Sequence, residues 1–494
     1  MLLFTNRETY YNDLSEVIRL FVAAPQIVLN PSGDETGDAL TVLLIDTGGY
    51  CARAECRSAR GSFVCEYVFD AAKADENASR EAFLENKRLE KRTMKIAAFR
   101  AMKQAFPNAS LPWGSLTGIR PTSLLRELTN RIGAENAERM LVEQFDVSQQ
   151  KLLLAGRINA SQRGVLASIA PRDIDIYIGI PFCRTRCLYC SFASELRTKK
   201  TDMGAYLDAL KRDIALNAEL VASLGLNVRA VYLGGGTPTV LTEAELDSLL
   251  DHAAERFALS PETEFTVEAG RPDTITKEKL IILKKNGVSR ISINPQTMLD
   301  KTLALVGRDH TADDIVRCFY EAREVGFDSI NTDLIAGLPG ENADDFSRTL
   351  ERVADLSPDC LTVHTLAIKR SSRLHERLQN YDLPPVSEVE KMVALGEECA
   401  LDLGMLPYYM YRQKYMAGNM ENVGYSLPDK ICLYNIDMME DALSILSSGA
   451  GAMTKRVFEG EKRIERIPNP KDIATYIEKI ERTHSERLRL FTGS

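Results

Sequence analysis

Six short apolar runs, at 174–180, 228–234, 264–268, 290–294, 328–334 and 361–365, alternate with amphipathic stretches near 203–224, 242–257, 276–286, 311–325 and 342–355. That alternation leaves few folds open. Runs apolar on both faces belong in a buried parallel sheet, and the stretches between them supply the helices that cover it. Six strand–helix units fall short of a closed eight-fold barrel, so the pattern predicts a partial (β/α)6 barrel. Chemistry in such an architecture gathers where the strands end.

The rest of the 494-residue chain flanks this core. Residues 1–170 read as an α+β domain. Strands are expected at 40–46 and 62–69, around a Gly48-Gly49 turn, and a helix from Arg80 places Phe99, Met102 and Phe106 on one face. That helix also carries Arg88, Lys91, Arg92 and Lys95, which fit a solvated face better than a docking face. A turn-rich segment, Leu111 to Thr122, holds the only tryptophan. Residues 171–380 hold the barrel. Beyond it, Pro384-Pro385 break the pattern, and helices near 386–403 and 471–488 enclose an irregular polar and aromatic stretch from Tyr408 to Tyr425. Residues 381–494 are therefore expected to form a small, mostly helical region covering the substrate.

Composition narrows the function. A net charge of −9 argues against a general nucleic-acid partner, which would need a basic face. No apolar run reaches membrane-spanning length. Seven of the ten cysteines are scattered, as in a reduced protein, and the first residues lack the basic-then-apolar pattern of a secretion signal, so a cytoplasmic protein is expected.

The remaining three cysteines, Cys183, Cys187 and Cys190, are spaced C-x3-C-x2-C just past the first barrel strand. Three thiolates on one loop can hold three irons of a cubic iron–sulfur cluster and leave the fourth open. Zinc is the competing reading, but the second C-x2-C pair of a zinc ribbon is missing. Later strand ends carry other polar groups. Gly234-Gly235-Gly236-Thr237 follows the second strand, where free amides and carbonyls could grip a small polar ligand. Glu268 ends the third strand, Gln296 lies past the fourth, Arg308 sits in Gly-Arg-Asp-His, and Asp333 closes the fifth. Each alone reads as a cap or an ion pair; on one rim beside a cluster loop they read as a ligand site. His364 ends the last strand and could face the same pocket.

In this order, Ile-Pro-Phe-Cys, Gly-Gly-Gly-Thr-Pro-Thr, the Gln before Gly-Arg-x-His-Thr, and Asp-Leu-Ile-x-Gly-Leu-Pro resemble the radical S-adenosylmethionine (SAM) enzymes of the HemN group. The segment Leu-Thr-Gly-Ile-Arg-Pro-Thr and the long N-terminal region look like the HemZ branch. The resemblance implies a radical-SAM barrel in which Cys183, Cys187 and Cys190 bind a [4Fe-4S] cluster and SAM chelates the open iron. Gly235, Gly236 and Thr237 would hold the SAM amino end. Arg308 would bind its carboxylate with Glu268 nearby, and Gln296 and Asp333 would contact the ribose. Tyr177, the implied catalytic residue, and Tyr189 would pack beside the cluster and adenosine.

An electron from a flavodoxin- or ferredoxin-type donor would cleave SAM to a carbon radical. The implied activity is oxygen-independent oxidative decarboxylation of coproporphyrinogen III in heme biosynthesis. A heme chaperone of the HemW kind, or another tetrapyrrole-modifying enzyme such as a heme ring-opening catalyst, are the alternatives. Two positions depart from the oxidases of the group: Phe192 stands where they carry a fourth cysteine, and Gly179 where they carry histidine. Substrate carboxylates would need cations, for which Arg184, Arg186, Arg271, Arg412 and Lys414 are the candidates.

Overall fold

The structure, a computed structural model, describes residues 1–22, 25–31, 37–75, 79–118, 120–192, 194–199, 201–413, 416–458, 460–461 and 463–493. It divides into two compact units, Met1–Gly156 with Gly418–Met420, and Arg157–Ala417 with Glu421–Ser494. Lys414, one of the candidate cations, and Ile119 of the turn-rich segment lie outside the described residues.

In the first unit, strands β1 (Leu2–Thr5), β2 (Val28–Leu29), β3 (Ala39–Asp46), β4 (Gly49–Ser58) and β5 (Gly61–Ala72) form a sheet in the order β2-β1-β3-β4-β5. Helix α1 spans Tyr11–Phe21, and the long α2 (Arg80–Ala105) lies across β3, β4 and β5. Ser79 caps α2 by accepting from the Ala82 amide at 3.0 Å, and Phe99 and Met102 are buried under it as their spacing predicts. Strand β4 has no strong apolar run. Its inward positions are small (Ala52, Ala54, Cys56), so its burial comes from pairing on both sides. Helices α3 (Pro121–Ile132), α4 (Ala134–Glu143) and α5 (Gln149–Ala167) follow.

The second unit holds the barrel. Strands β6 (Asp173–Ile180), the two-residue β7 (Phe182–Cys183) and β8 (Glu195–Leu196), then β9 (Asn227–Gly235), β10 (Glu264–Glu268), β11 (Arg290–Ser292), β12 (Ile330–Ala336) and β13 (Cys360–Thr365) appear in chain order. Six of them, β6-β9-β10-β11-β12-β13, run parallel as neighbours. Between them lie α6 (Met203–Leu224), α7 (Glu243–Arg256), α8 (Lys277–Lys285), α9 (Asp300–Leu305), α10 (Ala312–Val325) and α11 (Ala343–Asp355). Reciprocal capping boxes start α7 (Thr242 with Glu245), α10 (Thr311 with Asp314) and α11 (Asn342 with Asp345).

Residues after 381 supply helices α13 (Val386–Asp402), α14 (Leu433–Met439) and α15 (Ile473–Thr492), following a short α12 (Arg373–Glu376). They also supply five strands that extend the barrel sheet, which the sequence pattern does not reveal. β14 (Leu406–Tyr411) and β15 (Asn422–Ser426) add antiparallel beyond β13; β16 (Ile445–Ser448) adds parallel beside β6, with β17 (Met453–Val457) and β18 (Ile464–Pro468) outside it. The stretch from Tyr408 to Tyr425 is therefore not wholly irregular. Its strands are buried on both faces and built of Tyr, Gly and Asn, so neither alternation nor an aliphatic run marks them. Because β16 pairs with β6, this region belongs to the barrel unit and does not form a third body.

A buried polar network anchors α15. Arg487 donates to Asp213 at 2.5 Å, to Asn217 at 3.0 Å and to Asn469 at 2.6 Å. Tyr476 donates to Asp213 at 2.8 Å, and Asn469 donates to the Gly449 carbonyl at 2.7 Å. Gly449, with φ +105°, lies so close to β6 that a Cβ there would be 2.3 Å from the Gly179 carbonyl oxygen. A side chain at Gly179 would in turn meet the Tyr177 ring, Ser448 and Ala452. Of these only the Tyr177 ring, at 3.3 Å, is closer than ordinary contact. Replacing Arg487 by Leu leaves Asp213 buried without its counter-ion, so R487L is expected to cost about 3–5 kcal/mol in chemical denaturation. The double variant R487L/D213L is expected to recover much of that loss.

Candidate active site

The C-terminal ends of the parallel strands open into one cavity of about 630 Å³. All twelve site residues expected from the sequence line it: the three cysteines, Tyr177, Tyr189, Gly235, Gly236, Thr237, Glu268, Gln296, Arg308 and Asp333. His364 lines it too.

Cys183 closes β7, and the loop beyond it is pinned to the barrel. The Leu188 amide donates to the Val306 carbonyl at 2.9 Å, Thr185 Oγ1 to the Gly307 carbonyl at 2.9 Å, and the Leu374 amide to the Leu188 carbonyl at 2.9 Å. All three cysteines are free thiols. Thr237 Oγ1 donates to Cys183 Sγ at 3.5 Å, and Arg271 Nη1 donates to Cys187 Sγ at 3.6 Å and to the Thr185 carbonyl at 3.1 Å. Arg271, closed on Asp273 at 3.0 Å, thus braces the loop. Arg184 also turns to Asp273 and does not line the cavity, nor does the buried Arg412. Of the candidate cations described, Arg186 and Arg271 reach the cavity. Phe192, at the fourth-cysteine position, is 67% exposed on its rim and offers no donor.

The glycine turn works differently from the sequence expectation. The Gly236 amide is spent on the Ile180 carbonyl at 2.7 Å and the Thr237 amide on the Phe182 carbonyl at 2.8 Å. The turn therefore offers a ligand carbonyl oxygens and not these amides. Gly236 is needed for close approach, since a Cβ there would lie 2.5 Å from the Phe182 carbonyl oxygen.

Glu268 accepts from the Tyr232 hydroxyl at 2.8 Å. Lost solvation in the cavity pushes its carboxyl up to about 7, partly opposed by that hydrogen bond. Tyr232 stacks on Tyr434 at 4.6 Å and on Tyr177 at 6.3 Å, and burial holds the Tyr177 phenol well above its ordinary value. Arg308 donates to the Gly270 and Asn294 carbonyls at 2.7 and 2.6 Å and to Tyr189 at 3.4 Å; its Nε is sealed from water with no acceptor.

Gln296 sits at φ +69°, locked there because its amide donates to the Asp333 carbonyl and its carbonyl accepts from Ile335, both at 3.0 Å. A non-glycine residue held in the left-handed region is strained, and such strain collects at functional sites. Burial alone would raise the Asp333 carboxyl, but His364 and the hydrogen bonds of Asn331 and Thr362 outweigh it and hold it low. His364 lies between Asp333 Oδ2 at 3.6 Å and the Tyr411 hydroxyl at 3.4 Å. Sequence reasoning missed Tyr232, Asn294, Lys369, Tyr411 and Tyr434 on these walls. Tyr232 and Asn294 were within reach, standing in the same strand-end motifs; the others sit in segments with no periodic signal.

The sequence matches the radical SAM superfamily over residues 177–353. It is 38% identical over 391 residues to the oxygen-independent coproporphyrinogen-III oxidase-like protein HemZ of Bacillus subtilis (strain 168), covering 78% of each chain. The chain belongs to the HemN/HemZ group of radical SAM proteins. The chain is also similar to the heme chaperone HemW of Bacillus subtilis (strain 168), at 34% identity over 220 residues, or 44% of this chain and 57% of that one. The solved coproporphyrinogen III oxidase HemN from Escherichia coli, a radical SAM enzyme, superposes with a TM-score of 0.51 at 25% identity, covering 66% of this chain and 73% of the other.

The cofactors of this radical SAM chain are accordingly a [4Fe-4S] cluster and SAM. The cavity fits both. Among the described residues no three Cys, His, Asp or Glu side chains converge on one point as a single ion would require. A cubane needs only one thiolate per iron, and three free thiols on a pinned loop lining one cavity meet that need. The unmet Arg308 Nε is a ready partner for a ligand carboxylate. No helix among the described residues is long and apolar enough to cross a membrane. Substituting Gly236→Ala should push the turn off Phe182 and disturb Cys183; anaerobic reconstitution of G236A is expected to retain less than half the wild-type iron per chain.

Proposed function

We propose that this protein catalyses the oxygen-independent oxidative decarboxylation of two propionates of coproporphyrinogen III, giving the two vinyl groups of protoporphyrinogen IX. The observation that carries this reading is one cavity with two uses. Its cofactor wall is formed by the cysteines and the strand-end residues, and it continues to a wall of Lys369, Tyr411, Met439 and Met453 that no cofactor role employs. A large substrate thus has room beside the open iron.

When bound, the cluster and SAM supply a carbon radical strong enough to take a hydrogen atom from a propionate β-carbon. Loss of CO2 from the substrate, with one electron passing to an acceptor, then leaves the vinyl group. The chain's own residues position the parts. Cys183, Cys187 and Cys190 hold three irons. The carbonyls around Gly235, Gly236 and Thr237 accept from the SAM amino group, Arg308 takes its carboxylate, and Glu268 faces its amino acid part. Gln296 and Asp333 hold the ribose, with Asp333 kept ionised and oriented by Asn331 and His364. Tyr189 and Tyr177 line the cluster and adenosine side, and the neutral Tyr177 phenol can donate a hydrogen bond but not take a proton. Electrons come from a small flavodoxin- or ferredoxin-type protein in the cytoplasm.

A heme chaperone of the HemW kind is the second reading, favoured by Phe192 in place of a fourth cysteine. It fits less well at the metal. Both ring nitrogens of His364, the histidine on the cavity wall, already face partners, which leaves it poorly placed to ligate a heme iron.

Anaerobic incubation of reconstituted protein with reductant, SAM and coproporphyrinogen III tests the proposal by mass spectrometry. SAM cleavage with loss of two CO2 groups is expected; intact substrate together with a heme-induced Soret shift would move the assignment to the chaperone. Glu268 gives a pH signature. Its carboxyl is ionised above about 7 and protonated below, so attraction to the cationic SAM strengthens as pH rises through that value. E268Q is expected to bind SAM about tenfold more weakly at high pH and to lose the pH dependence, as read by equilibrium binding.

A further inference from the structure

The charge inside the cavity is segregated. Among the described residues, five cationic side chains line it: Arg186, Arg271, Arg290, Arg308 and Lys369. Three are committed. Arg271 is closed on Asp273, Arg290 donates to Ser329, Cys360 and the Lys430 carbonyl, and Arg308 donates to two backbone carbonyls with its Nε reserved, on the reading above, for SAM.

Arg186 and Lys369 are different. Arg186 spends Nη2 on the Ser371 carbonyl at 3.0 Å, while its Nε is sealed from water with no acceptor. The half-buried Lys369 ammonium has no carboxylate in ion-pair range among the described residues. Arg186 is bonded to Ser371, two residues on from Lys369, and Ser371 is bonded in turn to Ser191, the residue after Cys190. Both cations therefore line the cavity on the side of the third cysteine. The chain holds them there by lacing the 369–374 segment to the loop, with Ser371 Oγ donating to the Ser191 carbonyl at 3.3 Å and the Leu374 amide to that of Leu188. The cavity's acids, Glu268 and Asp333, are tied to Tyr232, Asn331 and His364. Keeping two unpaired cations partly out of water is costly, and in a chain of net charge −9 they do not reflect a generally basic surface. A ligand anion would offset that cost.

We propose that Lys369 and Arg186 form a carboxylate subsite beside Cys190 that seats a propionate of the substrate and selects the carboxylate-bearing macrocycle over its uncharged ester. This rests on the tetrapyrrole reading of the cavity. Lys369 supplies a point charge, and Arg186, with Nη2 fixed on Ser371, adds its positive charge on the same side of the cavity. The carboxylate is thereby pinned at the corner of the cavity nearest the third iron ligand, and the macrocycle is directed toward the wall of Tyr411, Met439 and Met453.

The test uses the full chain, reconstituted anaerobically, titrated with coproporphyrin III and with its tetramethyl ester by fluorescence quenching. Wild type is expected to prefer the tetracarboxylate by about tenfold or more. K369Q and R186Q should weaken tetracarboxylate binding with ester binding unchanged, and K369R should restore most of the preference, an outcome that a merely structural role for Lys369 would not produce. Iron content is read alongside, since Arg186 lies within the cluster loop. Undiminished preference in K369Q at wild-type iron content overturns the subsite. Failure of wild type to bind either porphyrin overturns the tetrapyrrole reading itself, and the subsite with it.

Discussion

The site depends on how closely two strand ends approach each other. Where β9 ends, the Gly236 and Thr237 amides donate to the Ile180 and Phe182 carbonyls, and Thr237 Oγ1 reaches Cys183 Sγ. This contact carries the chain from β6 into the cysteine loop at a defined height above the barrel. It excludes any side chain at Gly236, because a Cβ would meet the Phe182 backbone. It also decides what the glycine turn can offer a ligand: with those amides consumed, the turn presents acceptors, and so suits an amino group. One backbone seam thus sets the place of Cys183 and the polarity of the neighbouring turn.

From that seam the cavity is ordered by charge. Glu268 and Asp333, each held by neighbouring hydrogen bonds, contribute the acids, and Arg186 and Lys369 add positive charge where the 369–374 segment is laced to the cysteine loop. Glu268 is the adjustable member, because lost solvation brings its ionisation close to neutrality, whereas His364 and Asn331 keep Asp333 charged well below it. Opposite charges can stay apart in one cavity because each is fixed by a different strand end. Barrel geometry, more than direct pairing, holds the pattern.

The departures at Gly179 and Phe192 acquire a physical meaning in this frame. At Gly179, a Cβ would crowd the Tyr177 ring at 3.3 Å and touch Ser448 and Ala452 at ordinary contact distance, and the Tyr206 hydroxyl holds the Gly179 carbonyl at 2.8 Å. At Phe192 the loop ends in an exposed apolar ring at the cavity rim, where it can meet a flat apolar ligand. Of the two, Phe192 lines the cavity and Gly179 lies behind Tyr177.

The sequence by itself determined the barrel and the rim. Its six parallel strands are short apolar runs, its helices begin at Thr242, Thr311 and Asn342 caps, and Cys183, Glu268 and Gln296 fall where a run stops, so local pattern sufficed there. Asp333, expected to close its strand, lies instead in the middle of β12, because pairing with β13 carries that strand on to Ala336. Tertiary structure alone decided the rest. β14 to β16 are strands because neighbours pair with them, their polar and aromatic residues buried on both faces and carrying no period. Arg271 and Arg186 look alike in the sequence and both line the cavity, yet one is closed on Asp273 and braces Cys187 while the other has no carboxylate partner among the described residues, and Lys369 gave no sign of its place on the same wall. Which cations stay unpaired depends on acids brought near by folding from distant segments, and a linear pattern holds no record of those distances.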